Sequence, residues 1–178
     1  MNNKFCSCLI TALSLAAAAA SKQRENIVLA PHARDLVVLS GDKLVPSSSR
    51  EFLRARFIVL YFGADWCPDC RRFSPSLVEA YDQQPAAARE FEVLLISRDR
   101  NAEGMLSFMK HEKMNWPALA FETVAAATDL GRFYSGQGIP CLTVIDSDGR
   151  IVLQSKSDQD GKEVLQQFQA LLATSKQK

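Results

Sequence analysis

Three stretches of the chain are apolar almost without interruption: Phe57 to Phe62, Phe91 to Ile96 and Cys141 to Ile145. A strand with apolar side chains on consecutive positions is buried on both faces, which is the pattern of the central strands of an α/β sheet. From Pro68 the apolar period lengthens to that of a helix and holds to about Gln83, and a second helix over about Ala102 to Lys113 follows the second strand. Strand, helix and strand in succession predict that 57–62 and 91–97 are parallel neighbours. Ser147-Asp148-Gly149-Arg150 reads as the turn of a hairpin that returns through Ile151-Val152-Leu153. A last amphipathic helix, about Lys162 to Ala173, carries Val164, Leu165, Phe168, Leu171 and Leu172 on one stripe.

The N-terminal third is less regular. Leu36 to Leu39 predicts a short strand ending in a turn at Ser40-Gly41-Asp42, and Ser47-Ser48-Ser49 offers hydroxyl caps to a short helix through Leu53. Ser21 to Arg34 is polar with an Ile27-Val28-Leu29 patch, so it reads as a poorly ordered arm or an edge strand. After Trp116-Pro117 a mixed helical stretch runs through Phe133. The expected fold class is α/β, a central mixed β-sheet flanked by helices on both faces.

At 178 residues, with 47% hydrophobic and 23% charged positions, the chain has the size and composition of one soluble domain. Its first twenty residues stand apart. Met1-Asn2-Asn3-Lys4 is a short basic start, Phe5 to Ala20 is weakly polar to apolar, and small residues close it. That order is the order of a secretory signal, and the run falls short of the roughly 20 apolar residues that span a bilayer. Cys8 precedes the apolar run, too early for a lipid-modified cysteine. The expected division is a signal peptide over 1–20, an N-terminal arm over 21–35 and a domain over 36–178, placing the mature protein in a periplasmic or otherwise extracytoplasmic compartment. Loss of Lys4 from 21 Lys and Arg leaves 20 cations against 20 anions. With no cationic excess to displace counterions, nucleic acid is not an expected partner.

Cysteine usage now matters, because exported chains meet conditions in which disulfides persist. Cys6 and Cys8 leave with the signal, so Cys67, Cys70 and Cys141 remain. Three cysteines cannot build a disulfide framework, and with only His32 and His111 to add, the chain lacks the four well-spaced ligands of a structural metal site. No metal and no bound cofactor is expected.

The close pair lies in YFGADWCPDCRRFSPSL, Tyr61 to Leu77. Cys67 falls where a buried strand ends and a helix begins, with Pro68 at the first helical position, so backbone N–H groups and the helix dipole should favour its thiolate. Cys70, one turn on, should be more buried and less acidic. In that arrangement the exposed Cys67 attacks a disulfide and Cys70 resolves the mixed disulfide. Asp69 suits the helix N-terminus but opposes a neighbouring thiolate. The plainer alternative is an inert disulfide, though closing so short a loop removes little unfolded-chain entropy. Trp66 is either core or a shield at the rim of the pair. Pro75 inside the helix costs about 3 kcal/mol and removes a backbone hydrogen bond.

These residues, with FEVLLISRDR, MNWPALAF and GQGIPCLTVIDSDGR, resemble the thioredoxin superfamily, in particular its tryparedoxin and nucleoredoxin branch, over roughly Leu36 to Leu172. The resemblance implies a thioredoxin fold and a thiol-disulfide oxidoreductase, with Cys67 and Cys70 catalytic. It implies that Ile139-Pro140 is a cis peptide facing the dithiol, with the backbone of Ile139 pairing with substrate beside Trp66; otherwise Gly138-Ile139-Pro140 is a strand-entry turn. Tyr61 takes the place of the buried Asp of ordinary thioredoxins. Two departures modulate the expectation: Pro68-Asp69 stands where the branch commonly has two prolines, and Cys141 follows the proline. Cys141 is either a small buried strand residue or lies close enough to Cys67 to exchange with it. Expected partners are protein disulfides and an upstream thiol donor linked to a membrane electron carrier, and the expected state is a monomer. An oxidase or isomerase of the same fold, or a non-catalytic binding module, are the competing readings. Arg71, Arg72, Arg98 and Arg100 would form a solvated face paired with Asp99 and Glu79, or steer an acidic partner, and both histidines are expected at the surface.

Overall fold

The computed structural model describes residues 25–47, 50–85, 89–158 and 160–175. The expected signal peptide and most of the serine run lie outside the described residues. The apolar stretches become the middle of one sheet. Strand β1 (Leu36–Ser40) turns through Gly41 and Asp42 into β2 (Lys43–Pro46), and β3 (Phe57–Gly63) leads into helix α1 (Pro68–Asp82). Next come β4 (Phe91–Ser97), α2 (Ala102–His111), the two-residue β5 (Ala118–Leu119), α3 (Phe121–Val124), β6 (Cys141–Asp146), β7 (Ile151–Gln154) and α4 (Gly161–Ser175). The strand order is β2-β1-β5-β4-β3-β6-β7, with β3, β4 and β5 parallel and the remaining pairings antiparallel.

β3 is central and wholly buried, and its side chains alternate between two cores. Phe57, Val59 and Tyr61 face the side covered by α1, α2 and α4, where Phe73, Leu77, Phe108 and Phe168 pack. Ile58, Leu60 and Phe62 face the other side, covered by Leu29, Leu53, Leu130 and Phe133. The long helices thus share one face. The other is closed by shorter pieces, 3-10 turns at Ala30–His32, Phe52–Arg54 and Thr128–Phe133 among them.

The N-terminal arm departs from expectation, being neither loose nor an edge strand over its described part. Asn26 is fully buried, and its side-chain oxygen accepts the N–H groups of Val28 and Leu29 while its amide donates to the carbonyl of Asp146. One polar side chain therefore meets the backbone demand of a tight turn and ties the arm to the end of β6. Val28 and Leu29 enter the second core, while Ile27 faces outward. Strands β2 and β5 were not expected, because two apolar residues give no period to read.

Gly63, the last residue of β3, makes room for its neighbour's side chain. A Cβ there would lie 2.8 Å from the ring of Tyr61 and 2.9 Å from its hydroxyl. Because overpacking a full core costs about 1–3 kcal/mol, Gly63→Ala is expected to lower unfolding stability by that amount in a urea titration. An unchanged midpoint and slope means that the ring moves freely aside.

Candidate active site

The strand-to-helix junction puts a sulfur where helices usually place an oxygen. Cys67 is the N-cap of α1, with extended backbone (φ −90°, ψ 111°), and its Sγ accepts the N–H of Cys70 at 3.2 Å. Pro68 fills the first helical position, where an N–H has no partner to lose. The three-residue spacing thus delivers one cysteine's amide to the other's sulfur. Cys67 is covered, with 5% of its surface accessible, rather than open as expected; its S–H donates to the carbonyl of Ile139 at 3.5 Å. Cys70 is fully buried, and both are free thiols.

The Ile139-Pro140 peptide is cis and lies across from the dithiol. Gly138 precedes it with φ +101°, where a Cβ would meet the side chain of Asp158 at 3.0 Å. Left-handed backbone and a blocked Cβ together require glycine. Trp66 is 52% exposed, and its indole N–H donates to the carbonyl of Arg98. It stands as a rim, held by one end and wet on the other. A cleft of about 210 Å³ opens beside the pair, lined by Asp69, Arg72, Phe73, Pro140 and Lys162.

Asp69 does not stand alone next to Cys67. The guanidinium of Arg72, one turn along α1, pairs with its carboxylate at the surface, so the charge that would oppose a thiolate is partly offset. Arg98 stacks over the ring of Tyr134. Asp99, expected to pair with arginine, instead accepts the N–H of Asp65 and the hydroxyl of Ser97. Burial raises its carboxyl above the usual range, although these two bonds oppose the rise. Glu79 accepts from Gln83. These carboxylates serve the backbone and near neighbours; Asp99, in the loop after β4, holds the turn between β3 and α1 that carries Trp66.

His111 is exposed and lies 3.4 Å from the carboxylate of Asp65, the residue before Trp66. His32 is more covered than expected and meets the carboxylate of Asp129 at 2.9 Å. Cys141 is buried in the second core, opposite Phe62, with its sulfur 3.5 Å from the hydroxyl of Ser135. Cys67 and Cys70 belong to the first core. The sheet therefore separates Cys141 from the dithiol, and the exchange reading loses its geometry.

Beneath the dithiol lies a buried hydroxyl pair. Tyr61 and Ser74 are fully buried with oxygens 2.9 Å apart, and the Ser74 hydroxyl donates to the carbonyl of Cys70 at 2.9 Å. Ser74 was missed in the sequence, though its place four residues after Cys70 on a helix was the available signal. Burial pushes the Cys70 thiol far above the ordinary thiol range, and Cys67 adds to the push; donors from Ala64 N–H and the Tyr61 hydroxyl oppose it. Cys70 is thus a neutral thiol at neutral pH.

A family model for thioredoxin-like proteins matches residues 55–151. The chain belongs to that family. Tryparedoxin of Trypanosoma brucei brucei is 34% identical over 127 residues, covering 71% of this chain and 83% of that protein. Mouse nucleoredoxin is 35% identical over 113 residues, which is 64% of this chain but only 25% of nucleoredoxin. The solved tryparedoxin from Trypanosoma brucei superposes with a TM-score of 0.59 at 33% identity, covering 78% of this chain and 91% of that one. The fold is the thioredoxin fold, and the chain is a thiol-disulfide oxidoreductase.

Because Cys70 is both neutral and covered, the native protein with Cys6, Cys8 and Cys67 changed to serine should resist iodoacetamide at pH 7–8 and take up label only when denatured. Rapid labelling of the folded variant means that the second sulfur is neither shielded nor held as a thiol.

Proposed function

We propose that this chain is an exported reductase of protein disulfides that works through its Cys-Pro-Asp-Cys dithiol. The observation that carries the reading is the pairing of Cys67 Sγ with the N–H of Cys70 at one end and the carbonyl of Ile139 at the other. The first contact points a helix N-terminus at the sulfur, where negative charge is favoured. The second places the sulfur against the backbone that precedes Pro140, where an extended chain has a carbonyl to pair with.

In this reading Cys67 attacks the substrate disulfide and Cys70 displaces the substrate from the mixed disulfide. Trp66 and Ile139-Pro140 hold the substrate chain, and Pro68, Asp69 and Tyr61 modulate the dithiol. Cys141 serves as core. An upstream thiol donor recharges the pair; for an exported chain that donor draws on a membrane electron carrier. The domain works as a monomer on protein disulfides rather than on nucleic acid, with residues 1–20 as its signal and 21–35 as an arm. Support for export is the basic, apolar and small-residue order of the first twenty residues.

Two measurements test this. Insulin disulfides are expected to be reduced catalytically by wild type in the presence of dithiothreitol and only at background rate by Cys67→Ser; equal rates would show a binding module instead. In a secreting bacterial host the processed protein should begin at Ser21 in the periplasmic fraction. An intact N-terminus confined to the cytoplasm rejects export and leaves the chemistry untouched.

A further inference from the structure

The arginines after β4 do not find the carboxylates that their sequence neighbourhood offers. Asp99 spends its two oxygens on the N–H of Asp65 and the hydroxyl of Ser97. Asp65 accepts the hydroxyl of Ser107 and faces His111, and Glu79 is taken by Gln83. Arg98 and Arg100 are exposed, and among the described residues neither guanidinium has a hydrogen bond or an ion pair. Arg100 is a free surface cation. Arg98 is not free to move.

Both of its main-chain groups are tied to the junction that carries Cys67: its N–H donates to the carbonyl of Gly63 at 2.8 Å, and its carbonyl accepts the indole N–H of Trp66 at 3.1 Å. Its guanidinium lies over the ring of Tyr134, 5.0 Å from the centroid. That ring packs on Phe62 at 5.3 Å, and Phe62 is the strand partner of Cys141, the residue after Pro140. Arg98 therefore reaches from the rim at Trp66 toward the segment that holds the cis peptide. The stack occupies the flat face of the guanidinium and leaves its edge of N–H donors open. A planar, permanently charged fork held in one place matches a carboxylate, which it can bind through two parallel hydrogen bonds.

We propose that Arg98 is a specificity-determining residue that selects protein substrates with a glutamate or aspartate beside the disulfide. An extended segment that lies against Trp66 and Ile139 presents its carboxylate to the edge of the guanidinium. The open face of Trp66 and the Ile139 backbone make a length of polypeptide the bearer of that carboxylate. Because the stack on Tyr134 has already ordered the arginine, docking costs it little rotamer freedom. The proposal rests on the reductase reading above and names its substrate class. Arg72, across the dithiol on α1, already has a carboxylate in Asp69 and takes no part.

The test uses two synthetic peptides, each closed by one disulfide and differing only in the residues that flank the cysteines, Glu in one and Gln in the other. Reduced protein with Cys6 and Cys8 changed to serine is mixed with either peptide and quenched with acid at intervals. Each exchange turns the peptide disulfide into two thiols and the Cys67–Cys70 dithiol into a disulfide, so chromatography of the peptide gives the rate. Dithiothreitol, an uncharged dithiol, supplies the intrinsic ratio of the two rates. At low ionic strength the wild type should favour the Glu peptide about fivefold beyond that ratio, the upper range for an exposed ion pair, and the preference should shrink in about 0.5 M salt. Arg98→Gln keeps the main-chain bonds to Gly63 and Trp66 and should return the ratio to that of dithiothreitol. Arg100→Gln removes the same charge from the same loop and should retain most of the preference. No preference in the wild type, a preference that survives Arg98→Gln, or an equal loss in Arg100→Gln each overturns the proposal. So does an equal slowing of both peptides in Arg98→Gln, which makes the side chain a prop for Tyr134. A wild-type dithiol that neither peptide oxidises overturns the reductase reading as well, and the two failures are thereby told apart.

Discussion

The bond on which the site depends is the one from Cys70 N–H to Cys67 Sγ. A helix begins with N–H groups that have no partner inside the helix, and something outside must accept from them. Ser, Thr, Asp and Asn are the usual acceptors. Here a sulfur takes that place, so the same contact that completes α1 also fixes the Cys67 sulfur at the junction that follows β3. Pro68 adds a rigid φ and contributes no competing donor. Moving the helix start by one residue would leave the amide without its cap and swing Cys70 off the buried face that Tyr61 and Ser74 occupy.

Much of this was legible because the physics is local. Six apolar residues in a row, rich in aromatic and β-branched side chains and too short for a helix, read as a strand buried on both faces, and Cys67-Pro68 after it reads as a helix start. What stayed hidden depends on partners distant in sequence. Asn26 is polar and looks like surface, yet 120 residues separate it from the carbonyl of Asp146 that its amide satisfies. The pairing of Asp99 failed for the same reason: formal charge suggested arginines, whereas the strand end needed an acceptor for Asp65 N–H. Cys141 adjoins Pro140 in sequence and so seemed near the dithiol. A strand reverses side-chain direction at every residue, and that alternation carried its sulfur through to the other face.

The covering of Cys67 is the least intuitive departure, because the sequence reading expects this sulfur to meet solvent. Its sulfur is enclosed by the Cys70 amide below and the Ile139 carbonyl beside it, and the carbonyl accepts a hydrogen bond from the thiol S–H. In the proposed exchange, a substrate chain that pairs with the backbone at Ile139 would compete for that acceptor. Docking and release of the sulfur would then be one event, an extended disulfide-bearing segment drawing the carbonyl away from the thiol as it arrives. An exposed pair such as Asp69 and Arg72 contributes about 0–1 kcal/mol and cannot set this order of events, whereas the buried contacts can. The rim follows the same logic, since Trp66 is fixed by its N–H to Arg98 and leaves its apolar face open to whatever chain lies against Ile139.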